Sequence, residues 1–155
     1  MYNLVVSNLI TDYLSEPITI DRTRFLEYTG DFIARQLGTL SNEGITALKS
    51  WPCLVMQEGR GEERAYVARL ADVAARRKDI TLSLTPLRHD NIIRNADVWK
   101  LRDFLDIGQF EFNRHHWAVK DRDLIRVLAD GGIPRKELMR LHSQIFPCPL
   151  LVEQS

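Results

Sequence analysis

The 155-residue chain predicts an α+β fold: a small antiparallel β-meander, either flat or curled into a partly open barrel, packed with about five short helices. Three observations carry this expectation. The middle of the chain reads as strands joined by hairpin turns, with no βαβ alternation. Both flanks place apolar residues at helical steps of three and four. Hydrophobic residues make up 45% and charged residues 27%, which suits one ordinary domain with a packed core and a polar surface. Residues 1–155 are therefore read as a single domain, with 147–155 as a loose tail or an edge strand.

The elements follow in order. Residues 2–10, "YNLVVSNLI", are rich in strand formers, and "PITI" at 17–20 is a second short strand or an extended lead into a helix. Asp21 or Thr23 then caps a helix whose stripe is Phe25, Tyr28, Phe32, Ile33, Leu37 and Leu40. Ser41 or Asn42 opens another, with Ile45, Leu48 and Trp51, and Pro52 stops it. "CLVMQEG" at 53–59 is a strand and 60–63 a flexible tip. Residues 64–74 are read as a strand because "EGRGEE" is hairpin chemistry, against an alanine-rich helix over 62–77. Residues 79–87 alternate cleanly, Ile80, Leu82 and Leu84 against Thr81, Ser83 and Thr85. Asn95 is expected to cap a helix carrying Val98, Leu101 and Leu105, with Gly108 after its end. Asp121 is expected to cap "RDLIRVLAD", which Gly131 and Gly132 end. Pro134 begins a last helix with Leu138, Leu141 and Ile145 inward.

Charge bounds the function. Twenty-one basic side chains cancel 21 acidic ones, which argues against general attraction to phosphate. The balance is uneven: residues 1–59 hold four basic and seven acidic side chains, and residues 60–155 hold seventeen and fourteen, which permits a local basic patch. Cys53 and Cys148 form neither a metal motif nor a disulfide framework and read as reduced thiols in a cytoplasm. No apolar run approaches the roughly 20 residues that span a bilayer, and "MYNLVVSNLI" has no basic leader, so neither a membrane span nor a signal peptide is expected.

The densest chemistry is "EFNRHHWAVKDRDL" at 111–124. Metal binding is not favoured, because Glu111 and His115 at i, i+4 do not make an HExxH arrangement and adjacent histidines diverge on regular structure. A hydrolase or nuclease built on Glu111, His116 and Asp121 is conceivable, yet no nucleophile elbow or phosphate loop accompanies them. Nucleic-acid binding through the basic residues at 75–78 and 114–126 is a second alternative. The leading expectation is a non-enzymatic binding module with no cofactor. Arg114, His116, Trp117 and Lys120 would form a bend recognising a partner protein, a second copy or a small anionic ligand. The bland reading makes the segment a joint between two helices, with Trp117 and Val119 in the core.

The run Arg114, His116, Trp117, Ala118, Val119, Lys120 and Asp121 resembles an uncharacterised bacterial protein family with an R-x-H-W-A-V-K-D core. The resemblance implies a bacterial cytoplasmic domain and brings no activity or cofactor with it. For the binding module, separately from this resemblance, an accessory subunit of a bacterial defence or stress system is the expected setting.

Overall fold

The structure, a computed structural model, describes residues 1–87 and 93–132. The expected last helix from Pro134, the tail at 147–155, His89, His142 and Cys148 lie outside the described residues.

The α+β expectation holds, as a curled mixed sheet forming a half-barrel. Its strands are β1 (Tyr2–Val6), β2 (Ile18–Asp21), β3 (Cys53–Met56), β4 (Arg64–Ala75), β5 (Asp79–Pro86), the two-residue β6 (Ile93–Arg94) and β7 (His116–Lys120). They lie in the order β2-β5-β4-β3-β1-β7, with β6 on β4. The antiparallel meander β3-β4-β5 is as expected, and 64–75 is a strand rather than a helix. A register shift between Leu70 and Asp72 bends β4 as it leaves β3 for β5. The parallel neighbours β1 and β3 are joined through β2 and two helices.

Among the described residues there are four α-helices: α1 (Asp31–Leu37), α2 (Asn42–Ser50), α3 (Asn95–Leu101) and α4 (Leu124–Asp130). Two apolar clusters hold the layers together. Ile18 and Ile20 of β2 share one cluster with Trp117 and Val119 of β7, so the two ends of the strand order meet around a common interior, plugged by Leu37 and Leu48. The other face of the sheet buries Tyr2, Leu54 and Val67 under Val98 of α3, Phe112 and Leu128 of α4.

Several expectations are corrected. The long first helix is broken. Residues 22–24 make one 3-10 turn, Phe25 pairs with Trp117 as an isolated bridge, and α1 begins only after Gly30. The physical reason is competition: Leu26 N–H donates to Trp117 O at 2.7 Å, so this stretch satisfies its backbone against β7 instead of itself. Asn95 does not cap α3. The Asp97 carboxylate accepts from Arg94 N–H, while the Asn95 amide donates to Gln57 O and Gly59 O. The 59–63 tip is thereby pinned rather than free, since Glu63 also accepts from Gly61 N–H and Ala96 N–H donates to Gly61 O. Asp123, not Asp121, caps α4 through Arg126 N–H. The segment read as a bend between helices is the strand β7, laid antiparallel on β1 from Val6↔His116 to Tyr2↔Lys120.

Candidate functional site

β7 sends its side chains to both faces of the sheet, as strand geometry requires. Trp117 enters the interior, fully buried, with its indole N–H donating to Asn3 Oδ1 at 3.0 Å and its ring 4.6 Å from Phe25. Asn3 spends its own amide on the Leu48 carbonyl at 3.0 Å, so both ends of this buried polar link are satisfied. An exposed indole between cations is therefore not what the fold builds.

His116 and Lys120 point to the other face and are buried beside Glu111, which the 3-10 turn Gln109–Asn113 carries in. Glu111 accepts from Gly108 N–H at 2.6 Å, and Lys120 Nζ lies 3.0 Å from its Oε1. The Lys120 ammonium also donates to Tyr28 O at 2.7 Å. His116 Nε2 is 3.1 Å from Glu111 Oε1, while Nδ1 faces the Arg114 carbonyl. A carbonyl only accepts, so Nδ1 carries a proton. The second nitrogen faces the Glu111 carboxylate. The arrangement joins β7 to the 3-10 turn and to the 25–29 stretch. It is sealed from solvent, and it lines neither the groove beside α4 at Trp51 and Pro52 nor the smaller one at Leu101, Phe104 and Val127. The larger groove, about 720 Å³, runs between Trp51, Pro52 and α4.

The acid–base alternative required Glu111, His116 and Asp121 around one pocket. Glu111 and His116 do meet, but Asp121 is exposed past the end of β7, five residues from His116 and roughly 16 Å at the rise of a strand. That constellation is not assembled. Among the described residues no group of three or more His, Cys, Asp or Glu side chains is placed to hold a metal ion. No helix of the described residues is long and apolar enough to cross a membrane.

Arg114 is the one member of the expected quartet at the surface. Its guanidinium pairs with Glu27 at 2.9 Å, and Arg24 reaches the same carboxylate at 3.4 Å. This is the seam where the curl closes: β2 leads into the 22–29 stretch, which runs along β7, and His115 Nε2 bonds Thr19 O at 3.2 Å. The turn between β4 and β5 joins the seam from the other side. Arg22 N–H donates to Lys78 O and the Arg22 guanidinium donates to Arg76 O. Arg76, Arg77 and Lys78 are themselves exposed.

The exposed turn of Arg76, Arg77 and Lys78 is thus tied to Arg22, and Arg24, two residues on, meets Arg114 at Glu27. Arg122 and Arg126 do not belong to this seam. Arg122 donates to Asp121 O, and Arg126 sits beside Asp130 on α4. Sequence reading missed Arg22 and Arg24 because they were assigned to a helix start. The available signal was the pair of cations immediately after a strand.

Asp21, on the same seam, has its carboxyl held below the usual range, chiefly by the hydroxyl of Thr23 and then by its backbone N–H. Asp79 lies directly across the ladder from Asp21, and its Oδ1 is enclosed without a hydrogen-bond partner. Like charges so placed oppose one another, and Arg24 acts on Asp21 in the opposite sense.

No family model, no curated protein and no solved structure matches this chain.

Proposed function

We propose that the chain is a non-enzymatic binding domain that recognises an anionic partner through the closure seam. One observation supports this reading: Arg22, Arg24, Arg76, Arg77, Lys78 and Arg114 gather around one stretch of backbone in a molecule whose 21 basic and 21 acidic side chains cancel. Asp21, Glu27 and Asp79 offset part of that charge, and six cations against these three leave a local positive excess. Such an excess steers and holds an anion even when the whole molecule is neutral. The role moves from the expected quartet to this surface, since Trp117, His116 and Lys120 are committed to the interior. A cytoplasmic accessory subunit of a bacterial defence or stress system remains the setting we would try first, alone or as a homo-oligomer.

The test is binding of labelled heparin, a polyanion without bases, across a salt series. Affinity is expected to fall steeply with added salt. Arg76→Glu/Arg77→Glu/Lys78→Glu should lose about tenfold or more at low salt, in keeping with the loss of several charge contacts. Arg122→Glu/Arg126→Glu should bind as wild type does. Wild-type protein that holds no heparin at low salt would end the proposal.

A further inference from the structure

We infer that the anionic partner is a single-stranded nucleic acid, RNA or DNA, whose phosphates follow the seam while its bases stack on Tyr28 and Phe32; this rests on the seam being the binding surface. Tyr28 directly follows Glu27, the carboxylate that Arg24 and Arg114 share. Its ring stands edge-on to His116 at 5.3 Å, and its carbonyl is held by Lys120. The ring is therefore fixed in place, yet the residue is 46% exposed. Phe32 follows in the first turn of α1 and is 71% exposed, with Arg35 three residues on along the same helix face. Burial of apolar rings drives folding, so a phenyl left this open adds little to the core. Leu26 and Tyr28 have φ of 67° and 55°, a left-handed conformation uncommon for residues other than glycine, so the backbone that carries the Tyr28 ring is held in a special shape.

Two open rings, Tyr28 next to the carboxylate that Arg24 and Arg114 neutralise and Phe32 three residues before Arg35, suit a strand whose bases are free to leave one another, since stacking is available only to unpaired bases. A duplex would use the cations and leave the rings idle. An acidic peptide would do the same.

A second aromatic–arginine cluster does not offer this. Arg60 and Arg102 both lie over the Trp99 ring, at 4.3 and 4.1 Å, so that ring is already covered by cations. The exposed Phe104 directly follows Asp103 and is two residues before Asp106, both exposed acids, which repel phosphate.

The experiment compares fluorescent oligo(U), oligo(dT), a duplex of equal length and poly-glutamate at one low salt concentration, with heparin as the charge-only reference. The single strands should bind about tenfold more tightly than the duplex, the scale expected of base–aromatic stacking. Phe32→Ala, at a site outside the core, should lose most of that preference and leave heparin binding unchanged, and Phe32→Trp should restore it. Tyr28→Leu is the second variant, with folding checked by near-UV circular dichroism. RNA against DNA separates the two sources of the same chemistry. Heparin binding with no preference for single strands, or poly-glutamate binding more tightly than either oligonucleotide, would overturn the inference and leave the anionic reading standing. Loss of heparin binding as well would remove both.

Discussion

Glu111 shows how one side chain can decide the fate of two others. Buried and hydrogen-bonded to Gly108 N–H, it receives Lys120 and faces His116. Removing one partner of a buried ion pair leaves the other charge without solvation, which typically costs about 3–5 kcal/mol. Glu111→Gln should therefore lower the unfolding free energy by about that amount, read from urea denaturation. Adding Lys120→Met should recover a large part of the loss, since the orphaned ammonium goes with it. A double-mutant cycle measures the coupling. A double variant that loses the sum of the two single losses would show that Lys120 does not depend on Glu111. The pairing of Glu111 with His116 was weighed from the sequence, but its burial together with Lys120 was not legible, because a histidine and a lysine at alternate positions look like a solvated face. The alternation of Trp117 and Val119 was readable. What hid the strand was that its other face is also buried, through ion pairing rather than apolarity.

At the level of elements, the local signals that proved sufficient were those backed by hairpin chemistry. β4 was chosen over a helix because the turn before it joins strands, and the structure pairs it with both β3 and β5. Ser41 caps α2 through Gly44 N–H, as its sequence position suggested. The broken first helix was not legible, because Phe25 and Tyr28 fit a helical stripe as well as they fit a closure against a strand still 90 residues away. Periodicity cannot weigh a partner so distant in sequence. The β3–β4 tip illustrates the same limit. Gly59 sits at φ 131° and an added Cβ there would meet the Glu63 carboxylate, while the Asn95 amide ties the Gln57 and Gly59 carbonyls. Asn95→Ala should cost about 1–3 kcal/mol by leaving buried carbonyls unpaired. It should also speed amide hydrogen exchange between 57 and 63. Exchange unchanged from wild type would show that the tip is held by other bonds.

For the whole molecule, burial sets the response to alkali. Burial pushes the Cys53 thiol up to about 12 from its ordinary 9.0, and it raises the Tyr2 phenol well above 10.0, aided by Glu111 and Asp106. Both groups hold their protons in the folded state at a pH where the unfolded chain releases them. Their contribution to stability is thus intact below pH 9 and is lost as pH rises toward 12. The urea midpoint should stay level up to pH 9 and fall above it. In a Cys148→Ser background, the thiol should resist a disulfide reagent in native protein and react at once in urea. A native thiol that reacts freely at pH 8 would show that the interior opens in solution.

The stretch at 25–29 has a consequence beyond closure. It covers the outer edge of β7 with the contacts of Leu26 to Trp117, Thr29 to Val119 and Tyr28 to Lys120. An uncovered ribbon margin is a template on which identical chains add to one another. The same few residues that give the domain its outward-facing tyrosine thus also shield it from self-templated aggregation. Any ligand that pried this flap away to reach deeper would trade recognition for clumping.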